Sequence, residues 1–283
     1  MDHPAGGRPL SAGLIPADLD ATLVLVRHGE STYIVERRFQ GQADSPLTEL
    51  GRRQAALVAD RLAAPHAQPA LPIPAGSPLE IVHSPLQRAS GTAEAIADAM
   101  VRGGLIAEDR TGVLRADDGL REIGQGAWEG LHRDEIAARF GDLLGTWRRR
   151  PTEAWAPGGE SLPDVAARVR PALARLLATL AAAGVPGTRD RDQVPGYGDR
   201  PAAHPWSVVI AHDGLFKVLL LTLFEVPLDH FWMWSMDLCA FTIIEFRAGQ
   251  PVLRAHNLSA HLASLIDAAT VETEAARARG GAL

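Results

Sequence analysis

Five short apolar runs punctuate this chain, at Thr22–Val26, Leu79–His83, Ser207–Ala211, Ala240–Phe246 and Val252–Ala255. Helical patterns lie between them, at Thr48–Ala63, Leu86–Arg102, Asp134–Phe140, Leu162–Ala182 and Leu215–Phe224. Strands alternating with helices indicate an α/β sheet covered on both faces. The expected fold is a three-layer α/β/α sandwich around a mostly parallel sheet with one antiparallel edge strand. The last two runs, joined by Ala248-Gly249-Gln250-Pro251, read as a hairpin at that edge.

The 283 residues, 46% hydrophobic and 22% charged, suffice for a substantial core. Residues 1–20 read as a flexible leader and 21–265 as a single domain. The segment 266–283 reads as a helix-prone tail, rich in Ala, Glu and Arg. Pro- and Gly-rich stretches at 65–78 and 184–205 are expected to be loop insertions, and a cap insertion is expected at about 130–160. Thr48 marks one helix start, and Ser161 with Asp164 forms a capping box at another.

A formal charge of −6 argues against nucleic acid as a partner. The single cysteine, Cys239, sits in an apolar run and excludes an internal disulfide framework. No apolar stretch reaches membrane-spanning length, and the N-terminal segment lacks the apolar core of a signal peptide, so a cytoplasmic protein that does not engage membranes is expected. Phe231-Trp232-Met233-Trp234 suits a homodimer interface and core packing equally well.

Chemistry gathers at the strand ends. The first run stops at Arg27-His28-Gly29, which places a guanidinium beside an imidazole where glycine lets the chain turn. Arginine grips phosphate oxygens bidentately and imidazole can attack phosphorus. Ser84-Pro85-Leu86-Gln87-Arg88 follows the second run, with Ser84 suited to cap a helix and Arg88 in its first turns. The third run ends at His212-Asp213-Gly214. Glu122 lies in a glycine-spaced loop that continues to Trp128-Glu129-Gly130. Carboxyl ends of strands are where open α/β sheets place ligands, with helix N-termini favouring anions.

In order and spacing these four elements resemble the histidine phosphatase superfamily, the branch named for phosphoglycerate mutase, over roughly Thr22 to Phe246. The resemblance implies a phosphohistidine mechanism without metal or other cofactor. His28 would attack phosphorus, and Arg27, Arg88 and His212 would stabilise its oxygens. Glu122 would protonate the leaving group and then activate water. Ser31, Gln40, Gly41 and Asp213 join Arg27, Arg88 and His212 as expected phosphate binders. Neighbouring cations would lower the pKa of Glu122, whereas burial would raise it.

Glu129 is a rival carboxylate, Glu30 reads as a loop residue, and Trp128 as packing for the acid's loop. His83 suits a pocket wall and a supporting role equally. Two positions depart from the family pattern. Ile34 stands where an asparagine usually binds phosphate, and Asp213 where a glycine usually follows the histidine. Phe39-Gln40-Gly41-Gln42 resembles the phosphatase side of the family. The expected activity is hydrolysis of a small phosphorylated metabolite: a sugar phosphate, sugar-acid phosphate or phosphoglycerate-like ester. Mutase-type phosphoryl transfer and a low-activity phospho-ligand binder are the alternatives. Trp147-Arg148-Arg149-Arg150, with Trp155 in the same cap, suits a second anionic group on the substrate or a solvated helix end. Asp18-Leu19-Asp20-Ala21-Thr22 matches an aspartyl-phosphatase motif but precedes its strand instead of following it.

Overall fold

A computed structural model describes residues 13–184 and 204–265. Its strands are β1 (Ala21–Arg27), β2 (Ile81–His83), β3 (Leu114–Ala116), β4 (Trp206–Ala211), β5 (Phe241–Arg247) and β6 (Gln250–Leu258). Its α-helices are α1 (Thr32–Val35), α2 (Glu49–Ala63), α3 (Gln87–Arg102), α4 (Arg133–Arg149), α5 (Leu162–Ala183) and α6 (Asp213–Leu223). The strands form one sheet in the order β3-β2-β4-β1-β5-β6. The first four in that order run parallel, and β5 opposes both β1 and β6.

Alternation along β1 divides the core. Val24 and Val26 pack with Val58 and Leu62 of α2 and Ile96 of α3. Leu23 and Leu25 pack with Leu173 and Leu177 of α5 and Leu215 and Leu219 of α6. Each fully buried aliphatic side chain contributes about 1.5–3 kcal/mol, so both helical layers are needed to hide this sheet. The three-layer expectation holds.

The β5–β6 turn is tighter than the sequence suggests. Ala248 and Gly249 both take positive φ, 46° and 75°, and Arg247 pairs with Gln250. That is a two-residue turn matched to strand twist. Strand β3 was not anticipated, because three half-exposed residues centred on an arginine carry no apolar signal.

Residues 13–20 correct the expectation of a loose leader. Leu14 and Leu19 are buried against the α5–α6 side of the sheet, and the Leu19 carbonyl accepts from Gly249 N–H. The 65–78 insertion is also anchored, by buried Leu71 and Ile73. Residues 1–12, residues 185–203 of the second loop and the tail 266–283 lie outside the described residues. No helix among the described residues is long and apolar enough to cross a membrane. In Phe231-Trp232-Met233-Trp234, Phe231 is core, whereas Trp232 and Met233 are exposed.

Strand register positions the site. Arg27 pairs with Ala211, and His28 N–H continues the ladder to the Ala211 carbonyl. His83 pairs with Ile210, and Ser84 N–H donates to the Ile210 carbonyl. The ends of β1, β4 and β2 therefore bring Arg27-His28, His212 and Ser84 to one edge.

Candidate active site

His28 is buried, and its Nδ1 donates to the Gly29 carbonyl at 2.7 Å. A carbonyl only accepts, so the proton of the neutral ring sits on Nδ1 and Nε2 keeps its lone pair. Burial, then Arg88, then Arg27 push the His28 pKa well below the usual imidazole value. The turn after it is sterically demanding. A Cβ on Gly29 would lie 2.5 Å from the Gly51 carbonyl oxygen, so the loop and α2 touch backbone to backbone.

His212 packs beside His28, with ring centroids 5.1 Å apart. Burial and the nearby Arg88 hold it well below the usual value as well. Its Nε2 lies 2.8 Å from Ser84 Oγ, and that oxygen also accepts Leu86 N–H at 3.4 Å. Ser84 thus links His212 to Leu86, the residue just before α3, while accepting none of the helix's own first N–H groups. The first α3 N–H, from Gln87, goes to Asp44 instead.

Arg88 is fully buried, and burial lowers its pKa to about 10. Its Nη1 and Nη2 donate to the carbonyls of Ala43 and Gly41. Arg27 Nη1 donates to the Met236 carbonyl. Three buried nitrogens around His28 have no partner among the described residues: Arg27 Nε, Arg88 Nε and His212 Nδ1. Leaving such groups unsatisfied costs about 1–3 kcal/mol each, more for charged ones. Clustered beside a neutral imidazole, they make a site for an anion.

Glu122 is buried over the start of α6. Its Oε1 accepts N–H groups from Ile123 and Leu215 at 2.9 Å each, and Oε2 accepts from Gly214 at 3.2 Å. Burial outweighs these bonds and the Arg88 charge, so its pKa is raised. The competition left open by the sequence is decided by desolvation. Asp213, the next cause in the raising direction, is itself ion-paired to Lys217 at 2.7 Å.

The other expected binders on the loop after β1 bond to one another and to Arg88. Ser31 Oγ donates to Gln40 Oε1 at 2.6 Å, and Gly41 takes φ 51° to present its carbonyl to Arg88. Glu129 pins that loop by accepting Gln42 and Gln125 N–H groups. Glu30 accepts from the Thr48 hydroxyl at 2.8 Å. Ile34 is buried, His83 Nδ1 donates to the Ser84 carbonyl, and Trp128 packs edge-on to Phe39 and Trp147. Trp155 is exposed. Asp20 accepts Ala248 N–H at the other end of β1, about 25 Å of strand away from His28.

Sequence reasoning missed Arg168 and Glu160. Arg168 donates to both Glu160 oxygens and to the carbonyls of Gly119, Arg121 and Glu122. Glu160 in turn accepts Gly124 N–H and Gln42 Nε2. The signal was present in Gly158-Gly159-Glu160-Ser161 before a capped helix, with the arginine two helical turns on.

The family model described as histidine phosphatase superfamily (branch 1) matches residues 23–185 and 197–259. Glucosyl-3-phosphoglycerate phosphatase of Mycobacterium tuberculosis is 38% identical over 207 residues, 72% of this chain and 76% of that protein. Phosphoserine phosphatase 1 of Hydrogenobacter thermophilus is 27% identical over 244 residues, covering 85% and 93% respectively. The structure of mycobacterial glucosyl-3-phosphoglycerate phosphatase complexed with VO3 superposes with TM-score 0.62 at 33% identity, over 84% of this chain and 99% of that one.

Proposed function

This chain belongs to the histidine phosphatase superfamily and is a phosphoric monoester hydrolase, and from that premise we propose that it acts through a phosphohistidine on His28. The observation that carries this reading is His28 itself: buried, neutral, its Nδ1 proton tied to Gly29, and surrounded by the unpaired nitrogens of Arg27, Arg88 and His212. Nε2 attacks phosphorus as the ester P–O bond breaks, and the two guanidinium groups and His212 bind the phosphoryl oxygens.

Glu122 gives its proton to the departing alkoxide. Oε2, which holds a single longer hydrogen bond, is the oxygen that carries it. Water then attacks phosphohistidine and hands a proton to Glu122. The P–N bond breaks, its electrons return to Nε2, and inorganic phosphate leaves. A raised pKa suits both halves, because it favours the acid form used in the first step and makes the carboxylate a stronger base for the second.

The substrate class is a small phosphomonoester with a second anionic group, such as a sugar-acid phosphate or phosphoglycerate-like ester. Two relatives are named for substrates of that kind, glucosyl-3-phosphoglycerate and phosphoserine. On α4, Arg148 has a buried Nη2 without a hydrogen-bond partner among the described residues, a donor for such a group.

Rapid quenching with radiolabelled 3-phosphoglycerate tests the mechanism. Label that is acid-labile, alkali-stable and absent from His28→Ala is expected, with turnover undiminished in excess EDTA. Phosphate release without labelled protein would overturn the phosphohistidine.

A further inference from the structure

Asp213 replaces the glycine of the family pattern, and the structure gives it a partner that the sequence did not reveal. Its Oδ2 meets Lys217 Nζ at 2.7 Å, one turn along α6, and both side chains are more than nine-tenths buried. The Lys217 ammonium also lies over two aromatic faces, 5.4 Å from the Phe231 ring centroid and 5.1 Å from that of Trp232. These rings are walled in turn by Trp147 of α4, 4.9 Å from Trp232. The pair is largely withdrawn from water, where charges act with less screening than at the surface.

The pair stands on the first turns of α6, the helix whose start binds the Glu122 carboxyl. Glu122 is bound by N–H groups of Gly214 and Leu215, the two residues after Asp213. The charged groups that face Glu122 are Asp213 from α6 and Arg88 from α3. Arg168 from α5 engages only its main-chain carbonyl, and His28 of the β1 end and His212 stand neutral. Asp213 thus acts on Glu122 as a negative charge, and Lys217 is the cation paired with Asp213.

We propose that Asp213 and Lys217 act as an opposed pair of positioning charges that sets how firmly Glu122 holds the proton it transfers. Asp213 favours the acid form of Glu122, and Lys217 keeps that preference from becoming so strong that Glu122 cannot serve as the base. An anion beside a phosphate site is repulsive, and the same lysine offsets that cost. This rests on Glu122 being the general acid.

The test is the alkaline limb of kcat/KM against pH with an alkyl ester, 3-phosphoglycerate. Asp213→Asn moves the limb about one unit to lower pH, Lys217→Met moves it about one unit to higher pH, and Lys217→Arg restores it. The double variant, with both charges removed, returns the limb to near its wild-type position. A structural role alone would lower the plateau and leave the limb in place. Shifts in one common direction, or none, overturn the inference provided that Glu122→Gln abolishes the limb. A limb that survives Glu122→Gln overturns the acid assignment first and this inference with it. Should Lys217→Met fail to fold, Asp213→Asn decides alone. Its protonated-carboxyl infrared band, assigned by loss in Glu122→Gln, must titrate at lower pH than in wild type.

Discussion

Arg168 reaches from α5 to the main-chain carbonyl of Glu122, 3.1 Å from its Nη2, while the same nitrogen holds Glu160 at 2.8 Å. One planar guanidinium therefore ties the acid-bearing loop to the helix behind it, through carbonyls at 119, 121 and 122. No ammonium could reproduce that fork. Arg168→Met and Arg168→Lys are both expected to loosen Glu122. Misplacing an acid matters most for poor leaving groups, so kcat/KM for an alkyl phosphate should fall about 100-fold. For p-nitrophenyl phosphate, whose leaving group needs no proton, the loss should stay under about tenfold. Equal losses on both substrates would show that Arg168 only supports folding.

The two neutral histidines make stability depend on acid. Folded His28 and His212 resist protonation, whereas the unfolded chain takes up protons near pH 6.5. The unfolded state then binds more protons, so stability falls as pH drops below about 6.5 and is unaffected by these groups above it. The slope is at most about 1.4 kcal/mol per pH unit for each group. Urea midpoints at pH 7.5 and 5.5 should show the drop, and His212→Asn should reduce it. Neither ring should titrate near pH 6.5 by NMR.

Glu122 has the opposite sign. Its folded pKa is raised, so the folded state binds more protons between the unfolded value near 4.5 and its own. Its contribution is fully present below about 4.5 and is lost as pH rises through the folded pKa. Glu122→Gln removes that loss while its amide oxygen still accepts from Ile123 and Leu215. The variant should gain stability relative to wild type as pH rises, while kcat/KM for alkyl esters falls about 10²- to 10⁴-fold. Thermal melts across pH 4–8 check this.

Two glycines should tolerate no side chain, for different reasons. At Gly214 a Cβ would sit 2.8 Å from Glu122 Oε1 and from Ile123 Cδ1, so Gly214→Ala displaces the carboxyl. It should cost activity on alkyl esters more than stability. At Gly29 the added Cβ meets backbone oxygen of Gly51, which cannot rotate away. Gly29→Ala should cost about 1–3 kcal/mol in urea melts, along with activity.

Local features were legible from residue order. The β1 run, the Thr48 cap and the Ser161–Asp164 box all appear as read, with Thr48 Oγ1 accepting Gly51 N–H at 3.0 Å. Cap and period signals act within a few residues, so they survive as sequence pattern. Strand β3 and the packed residues 13–20 were not legible. Each is held by partners far along the chain, β2 for one and the β5–β6 turn for the other.

Residue order alone determined which groups could do phosphoryl chemistry: an arginine and a histidine ending one strand, a second histidine ending another, and an acid in a loop. It could not decide how those groups are charged. The raised Glu122, the neutral His28 and His212, and the Asp213–Lys217 pair all follow from burial and from neighbours brought together by the sheet and α6. Desolvation and Coulomb energies depend on distances through space, and only the folded chain sets those distances.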